Sequence, residues 1–105
     1  MNLYQRKNEM LFALICDDKP ASLELRLKIR PDHVAFLNGL GTAMKFAGPF
    51  TDDAGSPVGS LVVIEAENRA AAETLAAEDP YAKAGLFQSV AIRPWKWALK
   101  NPEAA

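Results

Sequence analysis

The sequence predicts an α+β domain of the ferredoxin-like type, its elements running β-α-β-β-α-β over one antiparallel sheet. Three observations carry this. Met10 to Cys16 is an unbroken apolar run that stops at Asp17-Asp18-Lys19-Pro20. Val58 to Ala66 is rich in β-branched residues, and Phe87 to Trp97 has strand character. Between these runs lie stretches with helical spacing, so strands and helices alternate in the required order.

The first run is short and apolar throughout, as suits a strand buried on both faces. Ser22 opens a short helical stretch through Leu23 and Leu27 that Pro31 interrupts. Proline is favoured in the first turn, so the main helix is expected to restart near Pro31, with Val34, Leu37, Leu40 and Met44 at roughly helical spacing. Lys45 to Phe50 reads as a short strand, and Thr51 to Pro57 as the loop of a long hairpin, because it is composed of turn formers. Asn68 caps a second, alanine-rich helix over Arg69 to Ala77. That helix must end near Asp79, because the residue before Pro80 is pushed out of the helical region. Gly85 closes a turn. In the last strand Phe87, Ala91, Trp95 and Trp97 are expected on one face, with Val90, Ile92 and Pro94 on the other. Asn101 to Ala105 reads as a frayed tail.

With 105 residues the chain fits one domain over 1–105, its core spanning about 10–98. Twelve basic and thirteen acidic residues leave a net charge of -1 without a basic run, which argues against a nucleic-acid partner. Arg93-Pro94-Trp95-Lys96-Trp97 mixes bases with aromatics, but the Gly-aromatic motif of RNA-recognition domains is missing, so strand-end packing or a dimer contact is expected there. The longest apolar run is too short to span a bilayer, and Met1 to Glu9 is polar and lacks a signal-peptide core; no membrane association and a cytoplasmic location are expected. A single cysteine, Cys16, excludes an internal disulfide and reads as a small buried hydrophobe.

Helices on one sheet face leave the other open, and in a monomer that face should be polar. Here the first, third and last strands carry apolar side chains on both faces, so a homodimer packing sheet against sheet is expected.

His33 is the sole histidine, which excludes a multi-histidine metal site, and no metal is expected. In the first turn of a helix starting at Pro31, its ring would sit at the positive end of the macrodipole, which favours the neutral, proton-accepting form. The competing reading is a surface or capping histidine. Asp79 is the candidate partner, though a carboxylate before Pro80 is also a natural cap. Asp52-Asp53 reads as a solvated loop pair, and Gly59-Ser60 offers a hydroxyl and a close backbone approach. No phosphate-binding glycine loop or paired CxxC appears.

Ser22-Leu23 with Arg26, Arg30-Pro31 with His33 and Leu37, Ala47-Gly48-Pro49, Gly59-Ser60, Asp79-Pro80-Tyr81 with Ala84-Gly85, and Arg93-Pro94-Trp95 occur in an order that resembles the YCII-related (YciI-like) family from about Met10 to Trp97. The resemblance implies a ferredoxin-like fold paired into a dimeric α-β barrel. It also implies an active site centred on His33 and Asp79, with Ser60 nearby. The expected activity is therefore cofactor-free acid–base chemistry, of isomerase, lyase or dehydrohalogenase type, on a small cyclic or aromatic metabolite. Ser60 and Tyr81 are expected to hydrogen-bond this small-molecule ligand, and Arg26 or Arg30 to hold an anionic group. The alternatives are a non-catalytic small-molecule-binding module, a protein-interaction module using the open sheet face, and a cofactor-free oxygenase.

Overall fold

A computed structural model describes residues 10–104. The reading of Met1 to Glu9 as a polar leaderless segment, and of Ala105 as tail, lies outside the described residues. Strands β1 (Met10–Asp18), β2 (Met44–Thr51), β3 (Pro57–Ala66) and β4 (Phe87–Trp95) form one sheet in the order β2-β3-β1-β4, and every pairing is antiparallel. Helix α1 (Leu23–Gly39) joins β1 to β2, while α2 (Arg69–Glu78) and the single turn α3 (Pro80–Lys83) join β3 to β4. This is the ferredoxin-like order, with the two apolar strands β1 and β3 at the centre and Pro49 and Pro94 confined to edge strands, where a missing N–H is tolerated. No helix among the described residues is long and apolar enough to cross a membrane.

Alternation along the strands divides the side chains between two faces. Phe12, Leu14, Cys16, Val62 and Ile64 are buried with Leu37 of α1 and Ala72 of α2, forming the core beneath the helices. Ala72 is fully buried, and its small side chain lets α2 approach the sheet closely. Their alternates, among them Leu11, Ala13, Ile15, Leu61 and Val63, face the opposite side.

Four expectations are revised. First, Pro31 does not restart a helix: α1 runs unbroken for 17 residues with Pro31 inside it. The helix loses the N–H that would bond the Leu27 carbonyl, but Leu27 and Pro31 are both exposed, so that carbonyl lies on the solvent side. The buried stripe of Arg26, His33 and Leu37 carries the helix across the proline. His33 consequently sits mid-helix, and the helix-terminus argument for its neutral form lapses. Second, a bulge between Asp17 and Asp18 shifts the register with β4, pairing Asp17 with Ser89 but Asp18 with Phe87. The shift turns Phe87 into the core, away from the face that carries Ala91 and Trp95. Third, β4 ends at Trp95, although Trp97 still packs edge-on against Phe46 at 5.1 Å. Fourth, the tail is folded back: Lys45 Nζ lies 3.0 Å from Glu103 and 3.3 Å from Glu65, and the Asn101 side chain accepts the Glu103 N–H.

Two turns follow their sequence signals. Asn68 caps α2 by accepting the Ala71 N–H at 2.8 Å. In the hairpin loop, Asp52 accepts the N–H groups of Ala54 and Ser56, so that carboxylate works as a turn former.

Candidate active site

Arg26, Arg30, His33 and Leu37 are separated by four, three and four positions, which puts them on one face of α1 above the β2–β3 half of the sheet. Arg26, His33 and Leu37 are buried and Arg30 is exposed.

Asp79 is placed by the chain around it. Pro80 cannot continue α2, so Asp79 takes an extended backbone conformation (φ -59°, ψ 129°) and becomes the cap of α3, accepting the Tyr81 N–H at 2.9 Å. After α3, Gly85 (φ 77°) reverses the chain: its N–H bonds the Ala82 carbonyl and the Leu86 N–H bonds that of Tyr81. This is the paired helix-ending pattern that glycine favours. It buries Tyr81 and Leu86 and fixes α3 beside α1.

The same Asp79 carboxylate meets His33: Nδ1 lies 2.9 Å from Oδ1 and 3.0 Å from Oδ2, with both residues buried. Because a carboxylate only accepts, Nδ1 carries the hydrogen and donates it, and Nε2 of the neutral ring is left with its lone pair. The Tyr81 ring stacks on the imidazole at 3.9 Å between centroids and 17° between planes. Three contacts therefore fix the orientation of His33: its own helix, the carboxylate and the tyrosine.

Arg26 organises the other wall. Its Nη1 donates to both oxygens of Asp18 at 2.8 and 3.0 Å, and its Nη2 donates to the Gly59 carbonyl at 2.9 Å and to Ser60 Oγ at 2.7 Å. Its guanidinium carbon also lies 4.8 Å from the centre of the Tyr81 ring. The terminal N–H groups of Arg26 are therefore spent inside the protein. Burial pushes the Asp18 carboxyl up from the ordinary 3.8, against the opposing pull of Arg26. Burial likewise raises the Tyr81 phenol above its usual 10.0, outweighing the pull of Arg26 and Arg30, so the phenol is a neutral donor at physiological pH. Gly59 is required by the approach of β1: a Cβ there would stand 2.5 Å from the Cys16 carbonyl oxygen.

These side chains open onto a cleft of about 250 Å³ between α1 and the β2–β3 hairpin, lined by Arg30, His33, Ser60 and Tyr81 and walled by apolar residues such as Val34 and Pro49. A larger hollow of about 500 Å³ lies beside Trp95 and Trp97, where Glu65 and Glu103 are both tied to Lys45. The histidine and its partner take no part in it. The structure thus brings His33, Asp79, Ser60, Tyr81, Arg26 and Arg30 together around one cleft. Asp18, which neutralises Arg26, was visible in the sequence only as a strand stop. Its eight-residue separation from Arg26 carries no pattern until the turn after β1 is formed.

A family model for the YCII-related domain matches residues 10–96. Protein YciI of Escherichia coli O6:H1 is 38% identical over 95 residues, covering 83% of this chain and 97% of that protein. An uncharacterised protein of Haemophilus influenzae is 36% identical over the same shares. Among solved structures, 5-chloro-2-hydroxyhydroquinone dehydrochlorinase (TftG) of Burkholderia phenoliruptrix AC1100, in complex with 2,5-dihydroxybenzoquinone, superposes with a TM-score of 0.76 at 32% identity, covering 83% of this chain and 94% of that one. A nipsnap family protein from Agrobacterium tumefaciens shares the fold alone, with a TM-score of 0.53 at 13% identity over 95% of this chain and 98% of that one.

Proposed function

The chain belongs to the YCII-related family, and on that premise we propose that it is a cofactor-free enzyme using His33 and Asp79 for acid–base chemistry on a small cyclic or aromatic metabolite. The observation that carries this is the contact at 2.9 Å between His33 Nδ1 and Asp79, because it leaves Nε2 as a base beside a cleft of ligand size. The likeness to a dehydrochlorinase that holds a dihydroxybenzoquinone supports ring compounds bearing hydroxyl groups as substrates.

In this reading Nε2 removes a proton from a substrate hydroxyl or from a carbon next to a carbonyl. Asp79 accepts the Nδ1–H throughout and stabilises the imidazolium that forms, without itself taking the proton. The electron pair left on the substrate can move through the ring. If the proton returns at another atom, the outcome is isomerisation. If a halide leaves with a bonding pair, the net loss is one molecule of hydrogen halide. Ser60 and Tyr81 donate to substrate oxygens, Arg30 holds an anionic group, and Arg26 positions Ser60 and Tyr81.

The test is turnover of a panel of hydroxylated and chlorinated single-ring compounds, beginning with 5-chloro-2-hydroxyhydroquinone and following chloride release. A positioned acid–base group contributes on the order of 10²–10⁴ in rate, so His33→Ala should lose about that much. Equal turnover by wild type and variant contradicts the proposal. Tight binding by the wild type with no conversion of any compound replaces it with a binding module.

The enzyme would act in the cytoplasm as a homodimer. The face of the sheet away from the helices carries Leu11, Ile15, Leu61, Phe50 and Trp95, with Phe50 still 40% and Trp95 37% exposed in one chain. A second copy packed on this face would remove that apolar surface from water.

A further inference from the structure

We infer that the cleft selects a small planar ring carrying one ionised enol or phenol oxygen beside a second, un-ionised hydroxyl, and that Arg30 is the residue that selects the charge. This names the substrate class of the site described above and rests on the acid–base reading of it.

No carboxylate lines the cleft among the described residues. Arg26 and Asp18 lie 2.8 Å apart with their side chains buried, so the charge of Arg26 is matched inside the protein. The charge left over is Arg30, which is exposed, lines the cleft one helical turn from both Arg26 and His33, and enters no ion pair among the described residues. The cleft thus carries a positive charge that the protein leaves for a ligand.

The hydroxyls have the same polarity. Ser60 Oγ already accepts from Arg26, which leaves its own hydrogen for an acceptor in the cleft. Tyr81 is 1% exposed, and no hydrogen bond to its hydroxyl is formed among the described residues, although that hydroxyl is held as a neutral donor by burial. Among the described residues that line the cleft, the one base is His33, whose Nε2 is left with its lone pair. A ring with an oxyanion satisfies Arg30 and the hydroxyl donors, and its remaining hydroxyl presents a proton to the histidine. A neutral ring would leave Arg30 unpaired. A fully ionised one would bring no proton. At about 250 Å³ the cleft falls below the roughly 300–1,000 Å³ of pockets for drug-sized ligands, which limits the occupant to about one ring.

The experiment is calorimetric titration of the full chain with 4-nitrocatechol, at a pH where one of its two adjacent hydroxyls is ionised, and with its dimethyl ether. The ether keeps the ring and removes both the charge and the second hydroxyl, so that Arg30→Gln isolates the share due to charge. The wild type should bind 4-nitrocatechol at least about tenfold more tightly than the ether, since a charge-assisted hydrogen bond contributes about ten- to hundredfold. Arg30→Gln, an exposed substitution, should lose most of that difference and leave affinity for the ether unchanged. Equal affinities in the wild type, or full discrimination in Arg30→Gln, would overturn the inference. The readouts separate it from the reaction: turnover that depends on His33 alongside equal affinities sinks charge selection alone. Discrimination through Arg30 without conversion of any ring sinks the acid–base reading alone.

Discussion

Asp79 terminates one helix, caps the next and receives the His33 N–H, all through one residue. Its two donors, the Tyr81 N–H and His33 Nδ1, reach it within 3.0 Å, so the carboxylate is held by backbone as well as by side chain. Cys16, at the centre of the sheet, has the opposite character. Burial first, and then the nearby charges of Asp79, Asp18 and Asp17, push its thiol from 9.0 up to about 12, against a smaller opposing pull from Arg26. The folded protein therefore keeps its proton where the unfolded chain loses it, and stability falls as pH rises from about 9 toward about 12. At neutral pH the expected result is that iodoacetamide leaves Cys16 unmodified in the native protein and labels it fully after denaturation; rapid labelling of the native protein would contradict the burial. The candidate residues His33, Asp79, Ser60, Tyr81, Arg26 and Arg30 are picked out by their order along the chain, and the fold gathers them around one cleft. The bonds of Arg26 to Asp18 and Gly59 are not legible in that order, because they cross between elements whose spacing in sequence carries no periodic signal.

At the scale of elements, α1 shows where local rules yield to packing. Proline in a helix interior is about 3 kcal/mol less favourable than alanine, so the sequence by itself predicts a break at Pro31. The helix continues because Arg26, on the first side of the proline, and His33 and Leu37, on the second, are anchored to the same sheet and to α3. Pro31→Ala should therefore raise stability, by about 1–3 kcal/mol once the greater freedom of the unfolded alanine chain is subtracted. Urea unfolding monitors this; a lowered midpoint would mean that the proline supports the helix. Strand order, both central strands, the Asn68 cap and the turn at Pro80 were readable, since each rests on local composition. The bulge at Asp17/Asp18 was not, because strand alternation alone cannot report an inserted residue, and alternation therefore predicts the wrong face for Phe87.

For the whole molecule, the ferredoxin-like order explains why one face of the sheet holds the candidate cleft and the other is open. The α1 stripe, the α2–α3 junction and the β2–β3 hairpin converge on the helix side around the cleft. The opposite face presents Leu11, Ile15, Phe50, Leu61 and Trp95. Sedimentation at micromolar concentration should return the mass of two chains, twice 11.4 kDa, and a single-chain mass would remove the dimer from the account. The proposed chemistry depends on Asp79 holding His33 with Nδ1 protonated and Nε2 free beside the cleft. With one histidine in the chain, a long-range proton–nitrogen NMR spectrum contains a single imidazole. In the neutral form it should show Nδ1 as the protonated, pyrrole-type nitrogen and Nε2 as the bare, pyridine-type one, with Asp79→Ala, which removes the acceptor, redistributing the two tautomers. An Nε2–H tautomer in the wild type, or a pattern unchanged by Asp79→Ala, would contradict it.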